Sequence, residues 1–325
     1  MKRTLLISFL LLMVFIVAGL YYWQNKILSK PQVIAKPTNP AITVNEEKIS
    51  KIDNETDEDK AQTKKTNNKI NVLILGTDVS GIEVSRTDLI MFLTANIDTR
   101  RVAIITIPRD TRVDIPGVGL TKINHANAVG EAKGDVRAGT LASANAVSNL
   151  LGVPINYYVK INFQGFVKAV DVIGGIDVDL PNPVNDDLRN IHLPAGQNHL
   201  TGDQALRLSR ARYGLPNGDF DRQKNNFYLL AALANQMLSF SNISKLPEII
   251  DIVYQELVDT NMSAAEVAAI ALKFKGITRD EITYYQIPGQ GVLAHDPLVG
   301  RKVYYYEVDI DAVQEVLQQA FSDVQ

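Results

Sequence analysis

The sequence predicts an α/β protein: one three-layer α-β-α domain with a central mixed sheet, preceded by one N-terminal transmembrane helix. Three observations predict it. From Ile70 to the C-terminus, apolar runs of strand length alternate with longer helical stretches closed by Gly or Pro. Leu5 to Trp23 is a run of nineteen residues without a charge. The tract between these regions has no sustained apolar period, so it cannot bury enough surface to offset the entropy of ordering. Composition agrees with a folded chain: of 325 residues, 46% are hydrophobic and 21% charged, and the formal net charge is -3. A disordered chain is poorer in apolar residues, and a dedicated nucleic-acid binder carries a basic excess. Cysteine is absent, which excludes thiol catalysis, disulfide staples and thiolate zinc sites.

Residues 1–4 form a short cytoplasmic tail carrying Lys2 and Arg3. As a helix, residues 5–23 would span roughly 28 Å, close to the hydrocarbon thickness of a bilayer. Tyr21, Tyr22 and Trp23 stand at the far end, where amphipathic rings favour the interface. The rival reading is a cleavable signal peptide, with small residues at Val17-Ala18-Gly19. Both readings place the rest of the chain outside the cytoplasm, held at the cell membrane in the first case. Residues 24–69 are expected to be a flexible extracytoplasmic linker, with Pro31, Pro37 and Pro40 stiffening its start.

The domain is expected over 70–325. Ile70 to Gly76, Leu89 to Ile97 and Val102 to Ile107 have the length and composition of buried strands, with Asp98 to Arg101 as a hairpin-like connection. A helix follows from about Asp135 to Leu151, stopped by Gly152 and Pro154. Tyr157 to Ile161 is a strand, Phe163 to Val172 a helix, and Ile176 to Leu180 a strand after a Gly174-Gly175 turn. Thr201-Gly-Asp-Gln204 and Ser263-Ala-Ala-Glu266 are capping boxes that open helices. Residues 222–240 are helical, 281–287 a late strand and 309–321 a closing helix.

Three stretches hold more polar groups than their surroundings require. Asp78 leaves the first strand, and Ser85-Arg86-Thr87-Asp88 enters the second. Arg109-Asp110 ends the third, with Lys122 and His125 beyond it. Ser209-Arg210-Ala211-Arg212 precedes a loop and then Asp219-Phe220-Asp221-Arg222. Ligands of open α/β sheets bind at strand ends. Arginine forks suit phosphate, and carboxylates completed by water suit Mg²⁺. Each residue also has a plain reading. Asp78 could bond its own turn, Arg109, Lys122 and Arg222 could be surface ion pairs, and Arg210 and Arg212 a solvated helix end with Arg207. Asp88 needs a partner or a metal, because it opens a buried strand. The histidines have no metal-site spacing, and no Walker loop, GxSxG elbow or dinucleotide glycine pattern occurs.

The ordered stretches NVLILGTD, SRTDLIMFLTANIDTRRVAIITIPRDTRVDIPG, KINHANAVG, LLGVPINYYVKINFQGFVKAVDVIGGIDVDLP and LPAGQNHLTGDQALRLSRARYGLPNGDFDRQ resemble the LytR-CpsA-Psr family of bacterial envelope proteins. The resemblance implies a Mg²⁺-dependent phosphotransferase, with Mn²⁺ as the alternative ion. Such an enzyme moves a glycopolymer of teichoic acid or capsular type from a polyprenyl pyrophosphate carrier to peptidoglycan. By motif position, Asp78 and Asp88 would hold the metal. Arg86, Arg109, Arg210, Arg212 and Arg222 would grip the pyrophosphate, with Lys122 in the same rim and the prenyl chain between sheet and helices. Arg86, Asp88 and Arg109 are the catalytic candidates. The chain departs from the family after Arg222, where Asn226 stands as the candidate replacement for a glutamine. A non-catalytic lipid-pyrophosphate module and a pyrophosphate hydrolase are the alternatives. A transcriptional regulator is disfavoured by export and by the lack of a helix-turn-helix pattern.

Overall fold

Lys69–Thr77 form β1, whose side chains alternate between two buried faces. Leu73 and Leu75 point one way, and Ile70, Val72 and Ile74 the other. A strand apolar on both sides needs cover on both sides, and the rest of the chain supplies it. The structure, a computed structural model, describes residues 32–38, 68–77, 85–239, 241–242 and 246–325. The expected span over 5–23 lies outside them, and so does Asp78. Among the described residues, no helix is long and apolar enough to cross a membrane.

β2 (Thr87–Asn96) and β3 (Val102–Thr106) extend the sheet antiparallel from β1. A small hairpin, β4 (Arg112–Ile115) with β5 (Gly119–Lys122), then leads into helix α1 (His125–Lys133). Helix α2 (Val136–Leu151) starts where the Asp135 side chain accepts from the Ala138 amide at 2.8 Å. It stops at Gly152, whose φ of 67° is the left-handed cap that glycine takes without strain. The chain returns as β6 (Tyr157–Asn162), parallel to β1. Helix α3 (Phe163–Val172) and β7 (Ile176–Leu180) follow, then the hairpin of β8 (Val184–Asp186) and β9 (Ile191–Leu193). β10 (Gly196–Leu200) pairs with β7, and the Thr201 capping box opens α4 (Gly202–Arg210).

Helices α5 (Asp219–Met237) and α6 (Leu246–Gln255) precede edge strand β11 (Leu257–Thr260). After α7 (Ala264–Lys273) comes the other edge strand, β12 (Ile282–Gln286). A hairpin of β13 (Gly289–Asp296) and β14 (Arg301–Val308) leads to the closing helix α8 (Ile310–Asp323). The central sheet has six strands in the order β11-β6-β1-β2-β3-β12, with parallel and antiparallel neighbours. Leu73, Phe92 and Ile105 pack on one face with Val147 and Leu151 of α2 and Val313 and Leu317 of α8. On the other face, Met91 and Ile104 meet Phe227 and Ala231 of α5 and Ala269 of α7. The three layers expected from the alternating pattern are present.

Two features differ from expectation. Within the expected linker, residues 32–38 lie against the domain: the Ile34 amide donates to the Ile155 carbonyl at 2.8 Å, and Ile155 returns a bond to Ala35 at 3.0 Å. Ala35 is buried there, and one apolar side chain with a backbone pair is too short a signal for periodicity to register. The hairpins β4–β5, β8–β9 and β13–β14, strands β10 and β11 and helices α1 and α6 also have no counterpart among the expected elements; the short strands mix glycine and charge with apolar residues.

Candidate functional site at the arginine-lined mouth

The second face of the sheet is not packed throughout. A cavity of about 380 Å³ opens between β1, β2 and β6 on one side and α3, α4, α5 and α6 on the other. Val72, Ile74, Val159 and Ile161 line its sheet wall, while Phe166, Leu206, Leu230, Leu233, Met237 and Val253 line its helical wall. At the strand ends the lining changes to Asp88, Arg109, Arg189, Arg210, Arg212 and Arg222. Five guanidinium groups against one carboxylate make this mouth a site for an anion.

Each group is held by its element. Arg109, just past β3, donates from Nη1 to Asp88 Oδ1 at 2.7 Å. Burial alone would weaken its hold on the proton, but Asp88, Asp110 and Asp219 outweigh it and raise its pKa. Its Nε is buried without a hydrogen-bond partner and lies 3.9 Å from Asp110 Oδ2. Arg210 is the last residue of α4, and its guanidinium lies 4.8 Å from the Phe163 ring centroid. Ala211 is buried and extended, with φ -65° and ψ 127°. That single extended residue lets Arg210 and Arg212 face the same cavity. Arg222 lies in the first turn of α5, with Nη2 at 2.7 Å from Asp219 Oδ1. Asn226, one turn on, lines the same wall.

The other candidates stand apart. Arg86 is exposed at the entry to β2 and does not line the cavity. Lys122 pairs with Asp110, beside Arg109 rather than in the cavity. Among the described residues, no group of three or more His, Cys, Asp or Glu could hold a metal. The donor set still fits a hard cation in part. Asp88 lines the mouth, and only its Oδ1 is engaged by a described residue, so one carboxylate oxygen remains for an ion that keeps most of its water.

A family model described as the LytR_cpsA_psr family matches residues 40–322. The chain belongs to this family. A curated relative from Bacillus mycoides, polyisoprenyl-teichoic acid–peptidoglycan teichoic acid transferase TagU, is 34% identical over 248 residues, 76% of each chain. The crystal structure of B. subtilis TagV is 28% identical with a TM-score of 0.65, covering 79% of this chain and 97% of that one. A structure of TagT bound to LIIa-WTA is 25% identical with a TM-score of 0.62, covering 79% and 91%.

In this LytR_cpsA_psr chain, Arg189 is the mouth residue that sequence reading missed. It ends a short turn of Asp187–Arg189 between β8 and β9, in a polar loop where no spacing marks it. Its Nε is buried and unpartnered, like that of Arg109. Asp186 explains how it reaches the mouth. This buried carboxylate accepts from the amides of Arg189 at 3.1 Å, Arg212 at 2.9 Å and Tyr213 at 3.0 Å. Burial would raise its pKa, but those amides and that of Leu188 lower it, so it stays charged and ties two arginines to one point.

A second buried network supports the other wall. Lys160 of β6 is fully buried and reaches Glu131 Oε1 at 2.6 Å and Asn127 Oδ1 at 2.8 Å. Glu131 accepts from the Ser85 amide at 2.7 Å, and Asn127 donates to the Ser85 carbonyl at 2.7 Å. The chain is thereby pinned three residues before Asp88.

Proposed function

We propose that the protein is a phosphotransferase that moves an anionic wall glycopolymer, of teichoic acid or capsular polysaccharide type, from a polyprenyl pyrophosphate carrier to peptidoglycan outside the cytoplasm. One observation carries the reading: a single cavity is apolar between sheet and helices and ends at five arginines. That is the polarity of a prenyl chain joined to a pyrophosphate. Burying ten of the chain's carbons supplies about 8 kcal/mol before ordering costs. Each charge-assisted hydrogen bond to the pyrophosphate adds about 1.5–3 kcal/mol. The names of the relatives, teichoic acid transferases acting on peptidoglycan, support the same substrate pair.

The acceptor hydroxyl attacks the phosphorus joined to the sugar, in line with the oxygen that bridges the two phosphates. The bond to that oxygen breaks, polyprenyl phosphate leaves, and the hydroxyl proton is released to water. Negative charge grows on the leaving phosphate, at the mouth lined by Arg109, Arg189, Arg210, Arg212 and Arg222. Asp88 would hold Mg²⁺ together with Asp78, and the ion, when bound, neutralises charge on the pyrophosphate oxygens. Arg109 orients the Asp88 carboxylate through its Nη1, 2.7 Å from Oδ1. Arg86 and Lys122 add positive potential outside the cavity.

The test uses the full-length protein in detergent with a polyprenyl-pyrophosphate glycan and peptidoglycan oligomers, with and without Mg²⁺. A glycan–peptidoglycan conjugate and polyprenyl phosphate should form only with the metal. Asp88→Ala should abolish turnover and leave the melting temperature nearly unchanged, because its ion pair with Arg109, 26% and 25% exposed, is worth about 1 kcal/mol. Lipid bound without conversion would instead identify a binding module, and free glycan phosphate a hydrolase.

A further inference from the structure

The cavity accounts for the lipid-linked donor and leaves the second substrate without a place. The β13–β14 hairpin flanks the mouth and offers one. The Tyr306 amide donates to the Asp110 carbonyl at 2.9 Å, next to Arg109. The Tyr306 ring meets Phe220 edge-on, with centroids 5.4 Å apart, and Phe220 lies between Asp219 and Arg222. The hairpin is therefore continuous with both sides of the mouth.

Its open face has an unusual surface. Register places Gly291 opposite Tyr306, Leu293 opposite Tyr304 and His295 opposite Lys302, so all six share one side of the ribbon. Glycine is required on that side. A Cβ at Gly291 would come within 2.7 Å of the Tyr304 ring, and one at Gly289 within 2.9 Å of the Tyr306 ring. The rings lie flat along the glycine lane as a result. Tyr306 is covered, but Tyr304 is 47% exposed and Leu293 72% exposed. From Tyr304 to Lys302 the exposed lane runs about 7 Å, room for one sugar ring and the edge of the next. A flat aromatic face with an aliphatic neighbour and a polar end matches a pyranose, whose C–H face stacks while its hydroxyls hydrogen-bond. Burial, and then the carboxylates of Asp110 and Asp219, raise the Tyr304 phenol above its usual 10. Its hydroxyl therefore stays a donor at the edge of the mouth.

We propose that the Tyr304–Leu293 face of the β13–β14 hairpin is the acceptor subsite and takes the glycan chain of the acceptor, stacking one sugar ring on Tyr304. The assignment rests on the transferase reading, and its test separates the two. Binding of a peptidoglycan tetrasaccharide to the full-length protein, without donor, is measured by titration for the wild type and for Tyr304→Ala, Tyr304→Phe and Leu293→Ser. Transfer is then measured against tetrasaccharide concentration at saturating lipid-linked donor. Tyr304→Ala should weaken saccharide binding and raise the acceptor KM about tenfold, equivalent to about 1.4 kcal/mol. Donor binding and melting temperature should not change. Leu293→Ser should show a smaller loss, and Tyr304→Phe should stay within twofold of wild type. A Tyr304→Ala variant that binds the tetrasaccharide like wild type overturns the subsite, as does a wild type with no saturable binding. Equal losses in Tyr304→Phe and Tyr304→Ala overturn the stacking role. Saccharide binding that depends on Tyr304 in a protein with no transfer would keep the subsite and overturn the transferase.

Discussion

Arg210 and Arg212 reach the cavity by different means. Arg210 is braced on Phe163, whereas Arg212 is seated through its backbone on Asp186 and its guanidinium lies 5.0 Å from the Tyr213 ring centroid. Lysine at either place keeps the charge but loses the fork and its planar contact with the neighbouring ring. Affinity for a polyprenyl pyrophosphate should fall at least about tenfold in Arg210→Lys, Arg212→Lys and Arg189→Lys, with unchanged melting temperatures. Arg207→Lys is the control, because Arg207 pairs with Asp203 on the exposed side of α4, where exchange costs under about 1 kcal/mol. Lipid binding measured across the four variants checks this. Near-wild-type values for the three mouth arginines would remove them from the site.

At the scale of elements, the approach to β2 at Ser85 is held by α1, with Lys160 of β6 behind it. Lys160→Met would leave Glu131 as a buried carboxylate without its cation, a loss of about 3–5 kcal/mol. In a domain of this size that lowers the melting temperature by roughly 10 °C. Adding Glu131→Leu removes the stranded charge and should restore most of the stability. Turnover should stay low in the double variant, because Ser85 has lost the acceptor that fixes the approach to Asp88. Melting and transfer assays on the same samples separate these effects. Full activity in the double variant would show that the network serves stability alone. The pairing was not legible from the sequence: Lys160 lies in an apolar strand, and nothing in its spacing points to Glu131 on a distant helix.

For the whole molecule, buried titratable groups set how the domain meets acid. The His125 pKa is lowered from 6.5, because burial first, and then Arg86 and Lys122, outweigh Asp296. The unfolded chain therefore binds this proton more readily than the folded one. The stability from His125 is complete above about 6.5 and is lost as pH falls toward its folded pKa. Asp296 follows at lower pH. Burial would raise its pKa, but Tyr305, Thr121 and the amides of Val299 and Leu298 bring it down from 3.8 to about 2. Its contribution is complete above about 4 and disappears between there and about 2. Melting temperature should fall in two stages on acidification, and His125→Gln should remove the upper stage. An upper stage that persists in that variant would assign it to another group.

Five of the six strands of the central sheet, most of the helices and their caps were legible in the amino-acid order because each depends on neighbours in the chain. Asp135 caps the helix it precedes, Gly152 ends it, and β1 declares two buried faces by its unbroken apolar run. Arg109, Arg210, Arg212 and Arg222 could be suspected as a cluster, because charges near strand and helix ends mark sites in α/β sheets. Their meeting point was decided only by tertiary structure. Asp186 reaches across 26 and 27 residues of chain to the Arg212 and Tyr213 amides and so joins Arg189 to Arg212, and the helices of the second face stand off the sheet far enough to leave a cavity. Contacts between residues distant in sequence follow from the packing of finished elements, and no local pattern encodes them.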